Sequence, residues 1–381
     1  MACLKNSLCG INNMKFNCQY FNKFFRNLFS GMPEELSTRN DLIKQMRSRI
    51  LSLPTIIFIA ITSVLIVSVS IGLDLDWGQM FENISKMRPI DYVIGVCLYY
   101  TSFIVRGFRW KILAKNASKT IPSNQLKTNL PTTLEFAKFI LIGWFINGIA
   151  WLRLGDAYRA WSFSRRFNST FSWSLGTLLT ERVLDMATIL GILIVAILSI
   201  TNIGDKASNY LIYAAAIMAG LLSIFLILMR LFGMKLAMLL PKPLFAIYGM
   251  FHKGTLDSLN IKQMPLLILL SSLGWLLEAG RLFFIIKALG LELSLPMILV
   301  VAVGHAILST VPTPGGIGAV EAGVTGLLAL SLPKNDAASV AILDRSVTFL
   351  SVIVFGGLVF FFFEILGIKI SKKLKLPFNT K

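Results

Sequence analysis

Pro312-Thr313-Pro314-Gly315-Gly316 breaks an apolar stretch that runs from 295 to 332. Proline removes a backbone donor, and glycine costs about 1 kcal/mol in a helix interior, so no continuous helix spans this phrase. The stretch is long enough to cross a bilayer, which takes about 20 apolar residues, yet it cannot cross as one rod. It reads as a helical hairpin that enters and leaves on one face. A second broken stretch, 132–151, contains Glu135, Lys138 and Asn147, and Arg153-Leu154-Gly155-Asp156 follows it.

The two breaks share a phrase. Gly155-Asp156 is followed by Glu181-Arg182, and Gly316-Ile317-Gly318-Ala319 is followed by Asp344-Arg345. Gly155 to Arg182 and Gly318 to Arg345 are both 27 residues. An acid–Arg pair in apolar surroundings is costly unless something uses it. A duplicated glycine turn with a duplicated charge pair points to a transporter built from two related halves.

Composition agrees on the class. Of 381 residues 55% are hydrophobic and 15% charged, with a mean hydropathy of +0.71. A soluble domain carries about 25% charged residues, so the chain reads as an all-α polytopic membrane protein. Its net charge of +18 fits cytoplasmic Lys and Arg facing anionic lipid. No stretch forms a basic soluble domain, so nucleic acid is not an expected partner. Cys3, Cys9, Cys18 and Cys97 have neither metal nor disulfide spacing. Lys5 is not followed by a continuous apolar core, unlike in a signal peptide. Residues 1–50 read as a basic cytoplasmic or interfacial segment, 51–370 as the transmembrane domain and 371–381 as a basic cytoplasmic tail.

Spans are expected at 53–73, 90–108, 171–201, 208–229, 264–287 and 337–366. Lys44, Arg47 and Arg49 place the N-terminus inside, whereas Asp74, Asp76 and Glu82 suit an outer loop. Arg109, Lys111 and Lys115 precede the 132–151 stretch and Arg159, Arg165 and Arg166 follow it. A full crossing there would put one basic cluster on the wrong side, so this stretch is also a hairpin. Lys369, Lys372 and Lys373 put the tail inside, and parity then requires 295–332 to dip in from the opposite face. The expected architecture is about six transmembrane helices and two opposed re-entrant hairpins. Segments 90–200 and 264–366 relate as an inverted repeat, and both termini are cytoplasmic. Non-helical backbone at that depth must be buried in protein or face water, which implies a central polar cavity.

The run Pro312 to Gly323, with Glu321, resembles the hallmark of the lysylphosphatidylglycerol synthase transmembrane-region family, the flippase-like domain family. Arg106 to Trp110, Arg153 to Asp156 with Arg159, Glu181-Arg182 with Asp185, and Arg345 support the resemblance, which covers roughly 50–370. The family's first turn begins with Pro-Gly, whereas this chain has Trp151-Leu152. The resemblance implies the membrane half of the bacterial multiple peptide resistance factor without its soluble transferase domain, in the cytoplasmic membrane of a prokaryote.

Candidate binding residues for a lipid phosphate are Arg153, Gly155, Asp156, Arg159, Gly315, Gly316, Gly318 and Glu321. Glycine lets backbone approach a ligand closely, guanidinium suits phosphate, and the helix after Gly318 offers an N-terminus to an anion. Glu321 is expected to pair with a buried Arg. Glu181, Arg182, Asp185, Glu278, Arg281, Asp344 and Arg345 form a candidate intramembrane charge network, with Glu278 and Arg281 spaced to neutralise each other. Arg106, Arg109 and Trp110 read as interface anchors, and His305 as a buried, satisfied histidine.

No catalytic motif, metal site or cofactor site is present in the sequence. The expected function is a flippase or scramblase for an anionic lipid, either a polyprenyl-phosphate-linked sugar or a plain or aminoacylated phospholipid. The alternatives are a membrane-embedded headgroup transferase using Asp156 or Glu321, or a non-transporting partner of a lipid-modifying enzyme. Candidate protein partners are such an enzyme, a glycosyltransferase or a second copy in a homodimer.

Overall fold

Pro89, Pro265 and Pro296 each stand in the first turn of a helix, where the missing N–H has no intrahelical role. Thr132 and Glu135 start another helix reciprocally. The Thr132 hydroxyl accepts from the Glu135 amide at 3.2 Å, and the Glu135 carboxylate accepts from the Thr132 amide at 2.8 Å. The computed structural model describes residues 76–119, 130–150, 153–199, parts of 212–238, 241–311 and 313–366, all within one unit, Val69–Lys381. The expected segments 1–50, 53–73 and 371–381 lie outside the described residues, as does part of 208–229.

In chain order the helices are α1 Trp77–Ser85, α2 Pro89–Ser118, α3 Thr133–Ile149, α4 Leu154–Phe167, α5 Phe171–Ser199, α6 Lys242–Ser258, α7 Met264–Ala288, α8 Leu295–Leu308, α9 Ala319–Leu328, α10 Lys334–Arg345 and α11 Ser351–Phe360. A π-helical turn, Ser346–Leu350, carries α10 into α11. No strand occurs among the described residues.

Among the described residues two segments, Ile261–Ala288 and Lys334–Phe363, are long and apolar enough to cross a membrane by length and composition. At 30 and 29 residues, α2 and α5 reach about 45 Å, but they carry Arg106 and Arg109, and Glu181, Arg182 and Asp185. Their hydropathy is lowered by charges that face inward.

Helix α2 lies between α7 and α3. Tyr99, Phe103 and Trp110 of α2, Phe136 and Ile140 of α3, and Leu282 and Ile285 of α7 share one buried cluster. A Cβ on Gly107 would stand 2.7 Å from the Ala137 amide nitrogen, so α2 and α3 touch backbone to backbone. Tyr92 and Tyr100 tie α2 to the last helices, each with a hydroxyl 2.8 Å from a serine, Ser346 and Ser351.

The polarity is inside out relative to a soluble protein. Arg106, Arg109, Arg159, Glu181, Glu278, Arg281 and Asp344 are buried, while Ile194, Leu198, Leu269, Leu276, Leu358 and Phe362 are exposed. An apolar exterior over a charged, paired interior is the arrangement that a lipid solvent demands.

Candidate functional site

The pair α3–α4 and the pair α8–α9 meet at their turns. Arg153, immediately before α4, adopts a left-handed backbone (φ 52°, ψ 46°), a conformation non-glycine residues avoid. Its guanidinium donates to the carbonyl of Ser309 at the end of α8, at 2.6 Å. The Gly155 amide donates to Asn147 at 2.8 Å, and any Cβ at 155 would overlap the Gly143 carbonyl. On the other side Gly315, Gly316 and Gly318 have φ of 60°, 71° and 85°, the left-handed values expected of this turn. A Cβ on Gly315 would stand 3.5 Å from the Gly148 Cα, so the two turns touch. Trp151-Leu152 and Pro312 lie outside the described residues.

Beside these turns is a cavity of about 830 Å³. Its wall includes Arg106, Arg153, Arg182, Arg281 and Arg345, with Asp185 and Glu278 as its carboxylates. Asn147, His305, Thr313 and Thr348 add neutral polar groups, and Trp144, Trp275 and Phe349 add aromatic faces.

Behind the wall the charges pair in two clusters. In the first, Asp156 accepts from Arg182 at 2.9 Å and from Arg159 at 3.3 Å. Arg159 also donates to Glu181 at 2.8 Å and lies over the Trp110 ring, 4.6 Å from its centroid. Arg109 donates to Asp185 and to the Ser271 hydroxyl, both at 2.7 Å. In the second, Arg345 donates to Glu321 at 2.7 Å and to the Gly315 carbonyl at 2.9 Å. Asp344 is paired with Arg281, and its other oxygen lies 2.9 Å from His305 Nδ1. Glu278 joins Arg281 at 3.3 Å to Arg106 at 3.2 Å. Arg106 is itself held between Trp144 and Trp275, at 5.4 Å from each ring.

Seven arginines (106, 109, 153, 159, 182, 281 and 345) therefore face six carboxylates, those of Asp156, Glu181, Asp185, Glu278, Glu321 and Asp344. Six of the arginines contact a carboxylate. Among the described residues Arg153 does not, and its recorded side-chain bond is to a backbone carbonyl.

Of the residues expected to bind lipid phosphate, Arg153 and Gly315 line the cavity, whereas Gly155, Asp156, Arg159, Gly316, Gly318 and Glu321 sit behind its wall. Of the expected charge network, Arg182, Asp185, Glu278, Arg281 and Arg345 line it, and Glu181 and Asp344 back it. The free helix N-terminus expected after Gly318 is corrected. The Gly318 amide already donates to the Glu321 carboxylate at 2.7 Å, so α9 carries its own anion. Arg106, Arg109 and Trp110 are also corrected from interface anchors to buried groups, with Arg109 only 1% exposed. Their partners Glu278, Asp185 and Thr177 come from α7 and α5, which a local charge reading does not see. His305, expected to be buried and satisfied, is half-buried; its Nδ1 lies 2.9 Å from Asp344 without forming a hydrogen bond, and it also reaches the cavity. Trp144 and Trp275 were not anticipated, because single aromatic residues in apolar helices carry no local signal, and Asn147 was read only as a break in an apolar stretch.

A sequence model described as the lysylphosphatidylglycerol synthase TM region matches residues 56–356. A UPF0104 membrane protein of Methanocaldococcus jannaschii is 31% identical over 244 residues, which is 62% of this chain and 99% of that protein. One of Pyrococcus horikoshii is 22% identical over 336 residues, 80% of this chain and 95% of that protein. One of Methanothermobacter thermautotrophicus is 29% identical over 101 residues, 26% of this chain and 30% of that protein. With its apolar exterior and charged interior, the chain belongs to the lysylphosphatidylglycerol synthase transmembrane-region family of membrane proteins.

Proposed function

We propose that this protein moves the headgroup of an anionic lipid across the bilayer through the arginine-lined cavity, while the acyl or prenyl tail stays in the hydrocarbon. The observation that carries this reading is the excess of arginine over carboxylate in a cavity wall enclosed by an apolar exterior. A cavity of about 830 Å³ has room for a phosphate with a small polar substituent, within the usual range of ligand sites. Guanidinium groups recognise phosphate oxygens through paired N–H donors.

In this reading α3–α4 and α8–α9 are re-entrant hairpins from opposite faces, and the helices around them complete about six spans with both termini cytoplasmic. The matched pairing supports the inverted repeat. In each half an acid near the glycine turn holds the arginine of the repeated phrase, Asp156 with Arg182 and Glu321 with Arg345. The site translocates and does no bond chemistry. Asp156 and Glu321, the acids a transferase would use, are both committed to arginines. A prokaryotic cytoplasmic membrane is the proposed location, with a lipid-modifying enzyme, a glycosyltransferase or a second copy as protein partner. The family description, which names a lysyl ester of phosphatidylglycerol, supports a phospholipid as one substrate class.

Purified protein in liposomes tests this. Fluorescent phosphatidylglycerol in the inner leaflet should become accessible to a membrane-impermeant quencher. Unchanged leaflet distribution across several anionic lipids would overturn the proposal.

A further inference from the structure

Arg153 combines two features that differ from the rest of the cavity. Its backbone is held in the left-handed region at φ 52°, a strain that persists only where the surroundings enforce it. Its charge is also left over when the arginines and carboxylates of the site are matched, and it spends that charge on the Ser309 carbonyl at 2.6 Å. Ser309 is the C-cap of α8, where an unpaired carbonyl and the negative end of the helix dipole attract a cation. The bond therefore joins the turn before α4 to the end of α8. The second contact between the turns, Gly148 with Gly315, is backbone packing without a hydrogen bond.

We propose that a lipid phosphate entering the cavity takes the Arg153 guanidinium from the Ser309 carbonyl, so that the residue that reads the headgroup also releases the contact between the two turns. This rests on the translocation reading and assigns it a gate. A phosphate oxygen is a stronger acceptor than a neutral carbonyl, and a phosphodiester carries the single negative charge that the site lacks. Ser309 then relies on its neighbours or water, and the turns are held by packing alone. When the headgroup leaves, the bond to Ser309 re-forms.

The test uses the full chain with its cysteines replaced by serine and spin labels on Ile149→Cys and Thr310→Cys, exposed positions beside the two turns. Interlabel distances are measured in nanodiscs of phosphatidylglycerol and in nanodiscs of a galactosyl diacylglycerol, which has no phosphate. A longer-distance population is expected in phosphatidylglycerol only. That lipid dependence should be lost in Arg153→Gln, which lacks the Ser309 contact and should show the longer distance in both lipids, and kept in Arg153→Lys, with both variants melting as cooperatively as the parent. Identical distances in the two lipids for the parent, or an undiminished lipid dependence in Arg153→Gln, would overturn the gate. Equal widening by inorganic phosphate in galactolipid discs would overturn the assignment to a lipid. The two proposals fail separately. Translocation without a distance change removes the gate alone, and separation without translocation removes the transport reading alone.

Discussion

Arg345 Nε donates to Glu321 at 2.7 Å across 24 residues of chain, and Arg182 donates to Asp156 at 2.9 Å across 26. The acids that precede these arginines behave alike as well. Glu181 is taken by Arg159, and Asp344 by Arg281. In each half the arginine of the repeated phrase thus pairs with an acid beside its own glycine turn, and the acid preceding that arginine pairs with an arginine of another helix. Charge pairs of this kind locate a turn, because an unpaired partner at membrane depth is costly.

The Arg109–Asp185 pair tests how far the interior depends on pairing. Both side chains are nearly inaccessible, so Arg109→Leu leaves Asp185 with only Arg182 at 3.8 Å, while Glu181 keeps Arg159 at 2.8 Å. The expected loss is about 3–5 kcal/mol, seen as a large fall in melting temperature in detergent. The double variant Arg109→Leu/Asp185→Leu should recover most of that loss, since two apolar groups leave less charge unmatched. An equal fall in both variants would contradict this.

Gly155 and Gly191 should respond oppositely to alanine. At 155 a Cβ overlaps the Gly143 carbonyl, whereas at 191 it meets nothing within 4 Å. Gly155→Ala is expected to destabilise by about 1–3 kcal/mol as an overpacked contact. Gly191→Ala, inside α5, is expected to be neutral or stabilising by up to about 1 kcal/mol. Thermal unfolding of the two purified variants compares them directly.

Arg153→Gly separates strain from function. Glycine accepts φ 52° freely, so the variant should melt no lower than the parent even though a hydrogen bond is gone. Translocation should nonetheless fall by about tenfold or more, the effect of losing a charge-assisted hydrogen bond. A variant that melts lower and transports normally would reverse both assignments.

The helix breaks were legible because proline and glycine act locally. Pro314, Gly315, Gly316 and Gly318 force a break wherever they stand, and the structure separates α8 from α9 there. Glu321 was legible for a related reason, since an acid beside an apolar turn needs a cation. The misread residues share a different property. Arg106, Arg109 and Trp110 stand next to Lys111 and Lys115 in sequence and look like the end of a span, yet α2 continues to Ser118. Their true partners lie 172, 76 and 67 residues away, beyond any local pattern. The Arg153–Ser309 bond was invisible for a simpler reason. Its acceptor is a backbone carbonyl, which every residue has.

Arg106→Lys should expose the role of the two tryptophans. A lysine keeps the charge near Glu278 but loses the flat guanidinium held between Trp144 and Trp275. The expected cost is about 1–2 kcal/mol for a desolvated cation–π contact, with lysine also unable to form the planar donor fork. Unfolding midpoints of Arg106→Lys and Trp275→Leu should fall together, and the double variant should lose less than the two single losses combined. Strict additivity would show that the stack contributes nothing.

The central claim is that the cavity selects a headgroup by its negative charge. The most direct measurement compares, in the same proteoliposomes, the transbilayer rates of phosphatidylglycerol and a galactosyl diacylglycerol bearing the same fluorophore on the acyl chain. The account predicts fast movement of phosphatidylglycerol and background movement of the galactolipid, with the difference collapsing in Arg153→Gln. Equal rates for the two lipids in the parent protein would contradict it.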